Sequence, residues 1–468
     1  MFTVAEIARA TGGEIIGSCS GDVAGVCTDS RTVKADELFI PIRGERFDGH
    51  DFIGAAIARG VRVFLAEKQW VVRHELPAGT ICIAVSETLR GLGDLAAFHR
   101  GRFDIPVAAI TGSNGKTTTK EMLAAILATT GPGLKTGGNL NNLVGLPLTL
   151  LRLTGKDLWA VLEMGMSELG EIDRLAEITR PDVGVITNAF PAHLASMGSV
   201  AAVARAKGEL FLRLGHGGWA VYNADDPLIS ASPSPYGVIR LGFGLDNGEV
   251  TASDIRSEGR QGQRFLLRLP DGEIPIRMKA FGRHNVANAL AAAAAATALG
   301  IGADAVAAGL EAFTPYDKRF HLEEIGGIVL IDDSYNANPA SMEMALRTVA
   351  EIREECRAVA VLGDMLELGP GTGPAHRAVG RLAATCVERL YLMGEQAGEV
   401  AAGAVEGGLP TQAVIVALSH DEVLADLLKH VNQGDYLLVK GSRGMRMEVV
   451  AEGIRRAFAP DRGKGTVA

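Results

Sequence analysis

The stretch of this sequence with the most explicit chemistry is Thr111-Gly112-Ser113-Asn114-Gly115-Lys116-Thr117-Thr118. A buried-strand run, residues 107–110, precedes it, and residues 120–129 read as a helix. Glycines at 112 and 115 let successive backbone N–H groups turn toward phosphate oxygens, and a helix N-terminus adds partial positive charge. Lys116 is the cation for the β- and γ-phosphates, and the Thr117 hydroxyl is a Mg2+ ligand. Gly112, Ser113, Asn114, Gly115 and Thr118 complete the expected cradle. The residue five before Gly115 is Ile110, where the general form of such loops has glycine. The loop therefore implies ATP without saying what its energy is used for.

Other polar residues sit where strands end, the edge at which parallel α/β sheets bind ligands. Glu163 closes the apolar run 159–162, where a phosphate-loop enzyme needs an acid for its metal; a solvated strand-end acid gives the same pattern. His193 follows the run 183–187 after a short loop and, as a neutral imidazole, suits a second divalent ion. Lys207, in Ala204-Arg205-Ala206-Lys207-Gly208-Glu209, is not distinguished by spacing. Asn285 and Asn288 put two amides on one face of a helix start, equally suited to an adenine and to capping. Leu330-Ile331-Asp332-Asp333-Ser334-Tyr335-Asn336-Ala337-Asn338-Pro339 runs from a strand into a loop dense in carboxylate, hydroxyl and amide groups.

Three α/β units must hold these residues. Residues 1–103 alternate apolar runs (38–42, 61–66, 81–85) with helical patterns (52–59, 87–100), and a Gly- and Pro-broken linker follows. Residues 104–314 add runs at 159–164, 183–187 and 218–222, which predict a mostly parallel sheet covered on both faces. Residues 250–278 alternate with turn signals, predicting an antiparallel patch at its edge. Residues 315–458 carry runs at 328–331, 358–362, 389–393 and 436–440, and 459–468 form a tail. The expected fold class is α/β with three domains: a central phosphate-loop sheet, a small N-terminal domain and a Rossmann-like C-terminal domain. Residues 287–299 are mostly alanine and too short to span a bilayer, so they predict a tightly packed internal helix.

Composition narrows the classes. The 468 residues are 47% hydrophobic and 22% charged, with a net charge of −9. That balance argues against a nucleic-acid binder, so local groups must hold any anionic ligand. Cys19, Cys27, Cys82, Cys356 and Cys386 lack CxxC spacing, which argues against a zinc site or disulfide framework and suits a reducing compartment. The first residues carry Glu6 and Arg9 in an amphipathic pattern rather than a signal peptide. The expectation is a cytoplasmic monomer without membrane insertion.

Taken in order, Thr-Gly-Ser-Asn-Gly-Lys-Thr-Thr, the Glu163 strand end, Asn188 to His193, Ala-Lys-Gly-Glu-Leu around Lys207, Gly282-Arg283-His284-Asn285-Val286-Ala287-Asn288, Lys318-Arg319-Phe320 and the Asp332–Pro339 loop resemble the Mur ligase family. These ATP-dependent enzymes build the peptide stem of bacterial cell-wall precursors, and the match covers nearly the whole chain. The resemblance implies that Lys116, Glu163, His193 and Lys207 are catalytic, with Thr117, Glu163, His193 and an N-carbamylated Lys207 holding two Mg2+ ions. It brings Asn285 and Asn288 to the adenine, and Arg319 and Asp333 from the third domain to phosphate and ribose.

The N-terminal segment around Ser30, Arg31, Arg43 and Gly44 resembles the UDP-binding domain shared by two members. Residues 139–147, 363–369 and 440–443 resemble the member that joins D-Ala-D-Ala to UDP-MurNAc-tripeptide, and imply Asn139, Asn141, Asn142 and Asn336 as substrate contacts. An Asn-Pro-Arg motif that grips a diamino acid in another member is absent. The segment 164–170 also lacks an Asn-His pair common in the D-Ala-D-Ala-adding member.

Overall fold

A parallel sheet covered on both faces needs apolar side chains at successive positions, and Val107–Thr111 supplies them. Ala108 and Ile110 face one core, with Met122, Leu123, Val286 and the buried alanines. Val107 and Ala109 face the other, with Leu150, Leu175, Val203 and Phe211. The computed structural model describes residues 2–18, 22–44, 46–191 and 197–459. Its central sheet is ordered Ile239–Phe243, Trp219–Asn223, Val183–Ile186, Val107–Thr111, Ala160–Glu163, Leu134–Lys135, and every pair is parallel. After Val107–Thr111 the chain fills one side of the sheet and then the other. The phosphate loop thus leaves the sheet at its topological switch point.

The alternating segment forms its own three-stranded antiparallel sheet, Thr251–Ser257, Gln263–Leu269 and Gly272–Met278. Between it and the central sheet lies the helix Arg283–Ala298, in which Ala291–Ala296 are all fully buried. Alanine lets backbones approach closely here; a larger side chain would overpack the layer at a cost of about 1–3 kcal/mol. The next helix, Ala303–Ala312, is as tight: a Cβ on Gly309 would lie 2.3 Å from the Cα of Ile126.

The first sheet is ordered Glu14–Gly17, Ile81–Val85, Val63–Glu67, Glu37–Phe39, Gly25–Cys27, with only the first strand antiparallel. The third is ordered His321–Ile325, Ile328–Asp333, Tyr436–Lys440, Ala358–Gly363, Arg389–Met393, Val414–Ala417, again with an antiparallel first strand. Tyr436–Lys440, last in sequence, inserts between the strands that open the domain and makes a second switch point after Asp333. The strands outside the predicted runs are sheet edges: Glu14–Gly17, Gly25–Cys27, Leu134–Lys135, Ile239–Phe243, His321–Ile325 and Val414–Ala417. Each is partly exposed, and all but Val414–Ala417, a short run that is apolar throughout, are broken by glycine or charged residues. Among the described residues, no helix is long and apolar enough to cross a membrane. Cys27, Cys82, Cys356 and Cys386 are free thiols.

Candidate active site

The phosphate-loop helix runs Lys116–Ala128, four residues earlier than the sequence pattern indicates. The first N–H groups of a helix lack intrahelical partners, so those of Lys116, Thr117 and Thr118 open into the loop. Gly112 (φ +151°) and Gly115 (φ +83°) adopt conformations in which a side chain is strained. The Ser113 N–H donates to the Asn188 carbonyl (3.0 Å) and the Asn114 N–H to Asn188 Oδ1 (2.9 Å). The amides left to cradle phosphate are those of residues 115–118, while 113 and 114 brace the loop against the strand end at Asn188.

Lys116 Nζ donates to the carbonyls of Gly112 (2.7 Å) and Ser113 (3.2 Å), folding back over its own loop. Burial lowers its pKa from the ordinary lysine value; Glu163 opposes that shift and Arg319 reinforces it. Thr117 Oγ1 donates to Glu163 Oε2 (2.9 Å), and Asn141 Nδ2 donates to Glu163 Oε1 (2.8 Å). The Glu163 N–H donates to Thr136 Oγ1 (2.9 Å), which fixes the buried acid along its backbone. Thr117 and Glu163 form an oxygen pair of the kind a hard divalent cation takes. Among the described residues, no three His, Cys, Asp or Glu side chains converge on a metal. Any further protein ligands must be of another type or lie elsewhere.

Lys207 lies on the helix Val200–Leu212, whose start is capped by Ser199. It is buried against the same cavity, and no described side chain pairs with it. Burial, then the Lys116 charge, push its pKa well below the ordinary value. Asn288 Nδ2 donates to Asn285 Oδ1 (3.0 Å), and Asn285 Nδ2 donates to the Phe281 carbonyl (2.8 Å). The two asparagines thus hold each other at the helix start. His284 beside them is brought down to about 4 by burial and by Lys440, so it is neutral at pH 7.

The opposite wall comes from the third sheet. Asp332 and Asp333 have separate surroundings: Asp332 is fully buried, accepting from Arg455 Nη2 (2.8 Å) and Ser334 Oγ (2.5 Å). Asp333 faces the cavity, where Lys440 Nζ donates to its Oδ2 (2.6 Å) and the Phe320 N–H to its Oδ1 (3.1 Å). Burial raises the Asp333 pKa, against the pull of Lys440. The Arg319 guanidinium stacks 4.1 Å from the Tyr335 ring centroid, and its buried Nε has no hydrogen-bond partner.

One cavity of about 450 Å3 joins these walls. Residues 112–118, Glu163, Lys207, Asn285, Asn288, Arg319, Asp333, Asn336, Asn141 and Asn142 all line it. Asn142 also accepts from the N–H groups of Val144 and Gly145 at the next helix start. Asn139 is exposed and does not line it. Nor do the first-domain residues: Ser30 lies in a turn, Arg31 pairs with Asp29, Arg43 pairs with Asp48 and Glu67, and the Gly44 N–H donates to the Phe47 carbonyl. His193 lies outside the described residues.

Sequence reasoning does not single out Lys440, His284, Asn188 or Asn338 as site residues. Lys440 ends an apolar strand, which is a signal, but its meeting with Asp333 depends on the strand order.

Three family models match the chain. The one described as Mur ligase family, catalytic domain covers residues 22–100; Mur ligase middle domain covers 110–296; and Mur ligase, glutamate ligase domain covers 318–443. The UDP-N-acetylmuramoyl-tripeptide–D-alanyl-D-alanine ligase of Escherichia coli strain K12 is 38% identical over 437 residues, 92% of this chain and 93% of that enzyme. A crystal structure of MurF from Acinetobacter baumannii matches with a TM-score of 0.89 at 31% identity, covering 97% of this chain and 99% of that one. The MurF ligase of Thermotoga maritima, solved in complex with ADP, matches with a TM-score of 0.83 at 27% identity over 93% and 97% of the two chains. Relatives this similar over nearly the full length carry the sequence resemblance to a firm end: the chain belongs to the Mur ligase family.

Proposed function

We propose that this protein is the ATP-dependent ligase that joins D-Ala-D-Ala to UDP-MurNAc-tripeptide through an acyl-phosphate intermediate, in the cytoplasm and as a monomer. The observation that carries the reading is the single cavity in which a phosphate loop and a strand-end acid face Arg319, Asp333 and Lys440 of another domain. Near full-length similarity to ligases named for this reaction supports the choice of substrates. We assign residues 1–103 to the UDP-bearing substrate, 104–314 to ATP, and 315–458 to closing over the nucleotide and holding the acceptor. Ser30, Arg31, Arg43, Gly44 and Asn139 are the proposed contacts of the substrate outside the cavity.

A carboxylate and an amine do not condense in water, because the carboxylate is a poor electrophile. Phosphorylation by ATP gives it a leaving group. Lys116 and the free amides of the loop stabilise charge on the transferring phosphoryl group. Thr117, Glu163, His193 and carbamylated Lys207 would hold two Mg2+ ions, which supply charge neutralisation at the phosphates. Arg319 reaches phosphate and Asp333 the ribose, with Lys440 Nζ hydrogen-bonded to Asp333 Oδ2 to hold its carboxyl in place. Asn285 and Asn288 flank the adenine. The two walls together exclude water, which would otherwise hydrolyse the acyl phosphate.

Phosphate release from ATP is expected only when both UDP-MurNAc-tripeptide and D-Ala-D-Ala are present. A coupled phosphate assay with each substrate omitted in turn checks this. Rapid turnover with neither substrate would sink the ligase reading in favour of an ATPase switch.

Lys207 has the environment carbamylation requires. Only a neutral amine attacks CO2, forming N–CO2⁻ and releasing a proton, and burial keeps this amine neutral well below pH 10.5. The neutral fraction falls as pH falls through the lowered pKa, so the carbamate is expected to disappear on acidification. With 13C-bicarbonate, NMR should show a carbamate carbon in the wild type that is absent from Lys207→Arg. An identical signal in that variant would refute the assignment.

A further inference from the structure

The two walls of the cavity touch through a pair of asparagines. Asn338 Nδ2 donates to Asn114 Oδ1 (2.7 Å), and Asn114 Nδ2 faces Asn338 Oδ1 (3.3 Å), a reciprocal amide pair joining residues 224 positions apart. Both partners are held from behind. The Asn114 N–H donates to Asn188 Oδ1, and its carbonyl accepts from Thr187 Oγ1 (2.6 Å) and Asn188 Nδ2 (3.2 Å). Asn338 caps the helix Pro339–Ile352, where Oδ1 accepts from the Ser341 N–H (2.9 Å) and the Asn338 N–H donates to Ser341 Oγ (2.9 Å).

A cap alone would account for the residue type at 338 but leaves the Nδ2 donor unexplained, because an N-cap uses only the oxygen. That donor is spent on the phosphate loop. The pairing is also neutral. Beside a triphosphate, a lysine or carboxylate at this point would compete for phosphate or metal, whereas an amide pair fixes register without adding charge. Its directional bonds form in one alignment only.

We propose that Asn338 is a positioning residue for the ligation reaction: its amide clasps Asn114 and thereby registers the Asp333–Asn336 loop over the nucleotide phosphates. The inference rests on the proposed ligase function for its kinetic readout and stands on nucleotide affinity without it. Residues 113 and 114 are braced on Asn188, and the Asn114 side chain projects from that braced turn to meet Asn338. The clasp therefore couples the shape of the loop to the seating of the opposite wall.

The test is a double-mutant cycle on the full-length protein with Asn114→Ser, Asn338→Ser and the pair. Serine at 338 keeps a helix cap but is too short to reach Asn114, so the melting temperature should stay near that of the wild type. Each single change is expected to lower kcat and ADP affinity about tenfold, the scale of two neutral hydrogen bonds. KM for the UDP-substrate should stay within about twofold, and the double variant should be no worse than the poorer single. Asn338→Asp keeps the cap but turns a carboxylate oxygen toward Asn114 Oδ1 and adds a charge beside the phosphates, so it should be at least as poor as Asn338→Ser. Independent, multiplying effects in the double variant, or wild-type ADP affinity in Asn338→Ser, would overturn the clasp. ADP affinity, measured calorimetrically in the four proteins of the cycle, decides for or against the clasp even if the wild type proves to use a different amine acceptor.

Discussion

Lys116→Ala is expected to lower the rate of ligation at least about 10^3-fold while affinity for the UDP-substrate changes by less than about twofold. Lys116 is the only loop side chain that is a cation, and it is folded over the Gly112 and Ser113 carbonyls. Those bonds hold the ammonium at the mouth of the cradle, so little reorganisation is needed when a phosphate arrives. The lowered pKa reports a desolvated site, where a single positive charge acts more strongly on a developing negative one than it does in water. Alanine removes that charge and leaves the loop backbone and the neighbouring Glu163 in place. Steady-state ligation rates, together with calorimetric binding of the UDP-substrate, check both halves. A parallel loss of UDP-substrate binding would show that the roles of the domains are misassigned.

Gly115→Ala should be nearly as damaging to nucleotide binding, for a steric reason. A Cβ at this position would lie 2.2 Å from Asn288 Oδ1, and φ of +83° is unfavourable to any side chain. Asn288 cannot retreat easily, because it is bonded to Asn285 and lies against the loop helix at Thr119. Relief must come from the loop, which would tilt the free amides of residues 115–118 away from the phosphate. Calorimetry should show ADP affinity reduced by more than about tenfold, with a stability cost of about 1–3 kcal/mol from the strained backbone. Unchanged ADP binding would mean that residues 115–118 do not form the cradle.

The contrast between these positions and Lys440 marks where sequence reading reaches its limit. The strand Val107–Thr111, its loop and its helix are contiguous, so residue type and order alone suggest their chemistry. The buried strands at 160–163, 183–186, 358–363 and 436–440 are visible as apolar runs because both faces are covered. Edge strands such as His321–Ile325 carry charges on their open side and give no such signal. Asp333 and Lys440 are neighbours only because the last strand of the third sheet inserts beside Ile328–Asp333, and no local pattern specifies that order. The choice between Asp332 and Asp333 likewise needs the fold: adjacent residues on a strand point to opposite faces, and Arg455 takes the inward one. The bracing of the phosphate loop by Asn188 requires two distant strand ends to be seen side by side.

The helix of buried alanines bears on how nucleotide binding is driven. Ala291–Ala296 have no side-chain rotamers to lose, and this helix carries Asn285 and Asn288 at its start. The wall proposed to flank the base is therefore anchored on a buried helix and tied in place by its own hydrogen bonds, Asn288 to Asn285 and Asn285 to the Phe281 carbonyl. Its ordering adds almost nothing to the unfavourable entropy of association, and the entropic cost falls on the ligand and on the loops of the opposite domain.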